Sequence, residues 1–365
     1  MKFQAAVLRA AGEPLHIETL TVGDLADTDV VVRIAATSLC HTDLEAVAGH
    51  LGVPLPIVPG HEAAGVVEWT GRSVHRRKVG DHVVLAWNPH CDGCFYCRRK
   101  QPILCQQYRE NAPASFHFDG KPRLFRETSP VHQLMYSGSF SEIAVVTEDC
   151  AIAVSKAIPF DRACLIGCGV MTGVGAVMNN ARVEAGSIVS VIGCGAVGLS
   201  AIQGARLANA GHIIAIDRDP NRLALASILG ATHTLLANDS LPSAHSDQTD
   251  GRGADYVFEA AGSPQAFQSS LDLVRPGGQV VWLGKLPVNQ QLSIRWGSLM
   301  GEKKITRASY GGAVPARDFP LLVEAYLDGK LRLDEYITSR IGLANVNEGL
   351  DRLSRGLDIR SVIEF

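Results

Sequence analysis

Nine cysteines stand in this 365-residue chain, and four of them crowd into one stretch, Cys91-x2-Cys94-x2-Cys97-x7-Cys105. Zinc accepts four thiolates in a tetrahedron, and spacings this short let one loop wrap the ion. Buried free thiols and an iron–sulfur cluster are the competing readings. In an intracellular chain such crowding points to a metal before it points to disulfides. Four-cysteine coordination leaves no open position, so this zinc would fix the loop and do no chemistry.

A second set is dispersed. Cys40-His41-Thr42-Asp43 and Gly60-His61-Glu62 offer a thiolate and an imidazole from two separate loops. A catalytic zinc takes three protein ligands and keeps one position open, and two cysteines with one histidine is a known set. Cys168, in Gly167-Cys168-Gly169, is the candidate for the missing thiolate. Each residue alone has a plain alternative, since a single cysteine is more often a small buried hydrophobe.

A third feature has the spacing of a phosphate-binding turn. Gly193-Cys194-Gly195-Ala196-Val197-Gly198 follows an apolar run and opens a helical pattern. Gly193, Gly195 and Gly198 allow a tight turn and a close approach of backbone to a pyrophosphate at a helix N-terminus. Asp217 stands about 20 residues beyond, where the ribose-binding carboxylate of a dinucleotide site is expected. A carboxylate there accepts from a 2′-hydroxyl and repels a 2′-phosphate, which favours NAD over NADP, although Arg218 is its neighbour.

These groups need elements to hold them. The first ~170 residues carry short β-branched runs broken by Gly and Pro, such as Val30–Ile34 and Gly65–Glu68, and read as a mostly β domain with long loops. From about Thr172 strands and helices alternate. Strands are expected at 187–192, 213–217, 232–236, 256–258 and 280–283, helices at 196–208 and 221–229, and a polar stretch at 238–254. That rhythm predicts an α/β fold with a doubly wound parallel sheet. The expected division is residues 1–170 with 311–365 as one domain, carrying a zinc lobe at about 89–126, and 171–310 as the nucleotide-binding domain.

The bulk composition is globular, 46% hydrophobic and 19% charged, enough for two cores. A formal net charge of −3 without basic runs argues against nucleic acid and charged membrane surfaces. No signal peptide and no bilayer-spanning stretch are read, so the chain is expected to be cytoplasmic.

Together these motifs resemble the zinc-containing alcohol dehydrogenases of the medium-chain dehydrogenase/reductase superfamily, essentially from end to end. Gly60-His61-Glu62-x2-Gly65-x5-Gly71-x2-Val74 resembles that family's zinc signature, Leu165–Gly169 its second-cysteine segment, and the four-cysteine lobe has its spacing. The resemblance implies a GroES-like catalytic domain with a Rossmann domain inserted before the tail, two Zn2+ per chain, and a homodimer or homotetramer. It implies that Cys40, His61 and Cys168 bind the catalytic zinc with Glu62 close behind, and that Asp43 orients His61. Thr42 would accept the substrate proton. His41 and Arg360 would contact the cofactor pyrophosphate, Asp217 and Arg222 the adenosine ribose, and Thr172 and Val197 the nicotinamide.

The implied reaction is oxidation of an alcohol to its aldehyde by hydride transfer to NAD. Many relatives end the proton relay on a histidine where this chain has Glu45, so Glu45, His50 or solvent takes the last step. Trp87, Leu51 and Leu134 are the expected pocket residues, and Lys285 falls near the nicotinamide. Arg109 matches an arginine of the glutathione-dependent formaldehyde dehydrogenases, but His50-Leu51-Gly52-Val53 lacks their acidic contacts. A primary, bulky or aromatic alcohol is therefore the first expectation and a thiol adduct of formaldehyde the alternative. A zinc-stabilised dinucleotide-binding protein without catalysis is the third reading.

Overall fold

The β-branched run around Val30–Ile34 extends into a ten-residue strand, Asp29–Ser38, on which the first unit is organised. Its side chains alternate between two cores, as the two-residue period of a strand requires. Val30, Val32 and Ile34 pack with Val67, Val83, Leu85 and Val146. Val31 turns to the other side, among Phe3, Leu20, Phe140 and Val346. The structure, a computed structural model, describes residues 1–111, 116–287 and 289–365. These form two units, Met1–Cys168 with Val314–Phe365, and Gly169–Ala313. Of the expected zinc lobe, residues 112–115 lie outside the described part.

Asp29–Ser38 sits inside a seven-stranded sheet, between Glu62–Thr70 on one side and Arg360–Glu364 on the other. A five-stranded sheet runs Lys2–Val7, His16–Val22, Leu124–Arg126, Ser129–Gln133 and Ile57–Val58. The C-terminal segment thus supplies two strands to the first unit, Ile337–Ile341 and Arg360–Glu364, paired in parallel.

The second unit holds a six-stranded parallel sheet in the order His233–Leu236, His212–Asp217, Ile188–Ile192, Ala254–Glu259, Val274–Trp282, Lys304–Arg307. Numbered within the unit this is 3-2-1-4-5-6, the doubly wound order with its reversal between Ile188–Ile192 and Ala254–Glu259. Strands buried on both faces read as unbroken apolar runs, as Ile213–Ile216 does.

Two expectations are corrected. The polar stretch 238–254 contains a helix, Leu241–Gln248. Its side chains have poor helical propensity, and it is held by burying Leu241 and His245. The chain also does contain a stretch long and apolar enough to cross a membrane, the helical run Phe160–Ala181, because no charge falls between Arg162 and Arg182. That run is mostly buried inside the protein.

Candidate active site

Strand register brings the dispersed ligands together. Ser38 pairs with Glu62, so Cys40 and His61, just past the ends of the two antiparallel strands, lie side by side. Cys40 lies in the short connection after Asp29–Ser38, at the N-cap of the helix His41–Val47. Cys168 arrives on the π-helical segment Ile166–Val170, and π-bulges often mark functional positions. Gly167 permits the approach: a Cβ there would stand 2.9 Å from the Leu85 carbonyl.

One ligand atom each from Cys40, His61, Glu62 and Cys168 lies within 4.8 Å of the others. His61 is fully buried, and its Nε2 has no hydrogen-bond partner. A buried imidazole nitrogen without a partner is costly unless something binds it. The donor set of two thiols, one imidazole and one carboxylate fits a zinc ion, which would satisfy that nitrogen.

Asp43 organises this cluster. Its Oδ2 accepts from the Cys40 N–H (2.9 Å), and its Oδ1 accepts from the Gly60 N–H (3.1 Å) and faces His61 Nδ1 at 3.1 Å. With Nδ1 protonated toward Asp43, Nε2 keeps its lone pair. Burial alone would lower the His61 pKa, but the Asp43 carboxylate and Cys40 drive it well above its usual value, so a metal at Nε2 would displace a proton there. The Cys40 thiol falls well below its usual value, chiefly through a hydrogen bond from Cys168, with His61 and Arg360 adding to the effect.

Glu62 is held from behind. Arg360 Nη2 lies 3.1 Å from Oε1 and Nε 3.2 Å from Oε2, while Nη1 donates to the Ile359 carbonyl at 3.1 Å. Arg360, expected at the cofactor pyrophosphate, pairs here with Glu62 and a backbone carbonyl. Burial raises the Glu62 pKa to about 7, with Arg360 opposing the rise.

Cys91, Cys94, Cys97 and Cys105 also place their sulfurs within 4.8 Å of one another. Backbone N–H groups of Gln106 and Cys97 face the Cys94 sulfur and lower its pKa to about 6, whereas burial pushes Cys97 and Cys105 up. None of the nine cysteines is in a disulfide.

In the second unit, Gly193 takes φ +92°, and a Cβ on Gly198 would overlap the Gly193 carbonyl oxygen. A Cβ on Gly195 would meet nothing within 4 Å, leaving the open space a pyrophosphate needs. Asp217, at the end of its strand, accepts from the N–H groups of Cys194 (2.6 Å) and Asp219 (3.0 Å). Arg222 lies 3.9 Å from Asp219. Thr172 and Val197 are both partly exposed in this unit, and His41 is exposed in the other.

Thr42 is buried and Glu45 half-buried on the helix His41–Val47, and His50 is exposed just beyond it. Trp87 and Leu51 are half-buried, whereas Leu134 is buried in the core of the first unit. Arg109 and Lys285 are exposed. Two aromatic neighbours escaped the sequence reading, because their segments carry no periodicity. Tyr108 lies 6.2 Å from Trp87 and 5.6 Å from Tyr136, ring centre to ring centre.

Residues 26–156 match the alcohol dehydrogenase GroES-like domain, and residues 196–327 match the zinc-binding dehydrogenase domain. Alcohol dehydrogenase class-3 of Myxine glutinosa is 36% identical over 99% of this chain and 97% of its own length. The chain belongs to the zinc-containing alcohol dehydrogenases. It is thus an NAD-dependent oxidoreductase of a family that uses zinc and acts on small alcohols and aldehydes. An S-(hydroxymethyl)glutathione dehydrogenase of Escherichia coli O1:K1 / APEC is 35% identical, with each chain covered completely. Among solved structures, benzyl alcohol dehydrogenase from Acinetobacter calcoaceticus superimposes with a TM-score of 0.94 at 30% identity, covering 100% of this chain and 99% of that one.

Proposed function

We propose that this dehydrogenase oxidises the hydroxymethyl adduct formed by formaldehyde and a thiol of the glutathione type. The reading is supported by whole-length likeness to relatives named for that adduct, in place of the primary or aromatic alcohol first expected. When bound, zinc supplies a Lewis acid for the substrate oxygen and NAD the acceptor for hydride.

Cys40, His61 and Cys168 would hold the catalytic ion, leaving one position of a tetrahedral set for substrate. Asp43 keeps His61 in the tautomer that ligates through Nε2. Arg360 offsets the negative charge that Glu62 adds beside two thiolates. Thr42 takes the substrate's hydroxyl proton. Glu45, three residues further on the same helix face, passes it toward solvent. In the second unit, Thr172, Val197, Asp217 and Arg222 would position the cofactor.

A second reading, a benzylic alcohol, is favoured by the aromatic run Trp87–Tyr108–Tyr136 and by a 50–53 segment without a carboxylate. One experiment separates the two: NADH formation with formaldehyde, with and without glutathione, compared against benzyl alcohol. The adduct reading expects glutathione to raise the rate by roughly tenfold or more. A rate indifferent to glutathione, with benzyl alcohol the better substrate, transfers the assignment to the second reading.

A further inference from the structure

Three backbone segments meet at the C-terminal edge of the parallel sheet in the second unit. They are Gly193–Cys194 after Ile188–Ile192, Ala260–Gly262 after Ala254–Glu259, and Leu283–Lys285 after Val274–Trp282. Glu259 stands at their junction with no exposed surface. Its Oε1 accepts from the N–H groups of Ala261 (2.8 Å) and Gly262 (2.7 Å). Its carbonyl accepts from Leu283 (2.7 Å) and Gly284 (2.9 Å), and the Ala260 N–H beside it reaches Ile192 (2.7 Å).

The packing there is backbone on backbone. A Cβ on Gly284 would overlap Glu259 Oε2, and one on Gly262 would stand 2.8 Å from the Lys285 carbonyl. A Cβ on Gly193 would stand 2.7 Å from Ala261 N. Burial raises the Glu259 pKa, and the surrounding N–H groups oppose it. A buried carboxylate is costly, and an apolar side chain would fill a core position with less penalty. What the carboxylate adds is a fixed path for two loops.

In a doubly wound sheet the dinucleotide lies across this edge, one mononucleotide half on each set of strands. The fingerprint and Asp217 belong to the adenosine half. The strands Ala254–Glu259 and Val274–Trp282 belong to the other. We propose that Glu259 is a positioning residue for the nicotinamide half of NAD, acting through the backbones of 260–262 and 283–285. The inference rests on the NAD site and is independent of which alcohol is oxidised.

The test compares NADH with ADP-ribose, which lacks the nicotinamide, by titration calorimetry on the zinc-loaded chain and its Glu259→Ala, Glu259→Gln and Gly284→Ala variants. Glu259→Ala is expected to weaken NADH about tenfold while leaving ADP-ribose within about twofold. Amide exchange at Ala261 and Gly262 should quicken in the cofactor-free variant. Glu259→Gln keeps an acceptor oxygen and should recover most of the NADH affinity. Unchanged NADH binding in Glu259→Ala, or parallel loss of both ligands, overturns the proposal. Should Glu259→Ala not fold, Gly284→Ala must show the same split, because its methyl displaces the carboxylate; equal binding of both ligands there also overturns it.

Discussion

Arg360 and Glu62 stand 298 positions apart in the chain and meet in a buried two-point ion pair, at 3.1 and 3.2 Å. They come from the two strands that flank Asp29–Ser38, one from each end of the sequence. The pair puts a fixed positive charge against a cluster of two cysteines and a carboxylate. It also joins the C-terminal strand to the candidate metal site.

Removing one partner of such a pair strands the other. Arg360→Met should cost about 3–5 kcal/mol, because Glu62 would be left buried and uncompensated. Arg360→Met combined with Glu62→Gln should recover a large part of that loss. Chemical denaturation of the three proteins measures both effects, and an additive double variant would show that the two side chains do not act as a pair.

Asp43→Asn tests the orientation of His61. Both carboxylate oxygens accept hydrogen bonds, so either setting of the amide turns its NH2 toward another donor. The catalytic zinc should bind about 10–100-fold more weakly. Metal analysis after dialysis against a chelator should then find one zinc per chain, retained by the four-cysteine lobe, where the wild type keeps two. Two retained ions in the variant would remove Asp43 from the metal site.

Asp217→Gly should weaken NAD binding and narrow the preference against NADP. The loss has two sources. The ribose would lose the acceptor proposed for it, and the Cys194 and Asp219 N–H groups lose theirs. Fluorescence titration with NADH and NADPH reads the ratio directly. A wild-type protein that already prefers NADPH would contradict the role given to this strand end.

His245 should make the second unit acid-sensitive. It is buried, its Nε2 lies 2.9 Å from Ser190 Oγ, and burial lowers its pKa from 6.5 to about 4. A folded pKa below the unfolded one means that protonation favours the unfolded chain. The stabilisation is complete above pH 6.5 and declines as the pH falls toward 4. Between pH 7 and 5 the loss from this group is about 2 kcal/mol. Thermal melts across that range should flatten in His245→Gln, and an unaltered slope would place the acid sensitivity elsewhere.

Much of the chemistry was legible in the residues because it is local. Four cysteines within one loop carry their own geometry, and the glycines from 193 to 198 imply a turn that only a small residue can make. The alternation of strands and helices after Thr172 likewise specifies a parallel sheet without knowledge of contacts. Leu241–Gln248 escaped because its polar side chains have weak helical preference, and burial of two residues supplies what propensity lacks.

What the residues alone left open was partnership. The pairing of Arg360 with Glu62 had no signal, since nothing near Arg360 in the chain points to a residue 298 positions away. Asp43 was expected beside His61, but its hold on the Cys40 and Gly60 N–H groups depends on how the two loops meet. Glu259 carried no signal at all, being one acidic residue at a strand end. The spacing of residues along the chain determines which groups can bind zinc or phosphate. The register of Asp29–Ser38 with its two neighbours, and the convergence of three strand ends around Glu259, decide which buried charge meets which donor. Such pairing is set by distance in the folded chain, where burial makes each unmatched polar group costly.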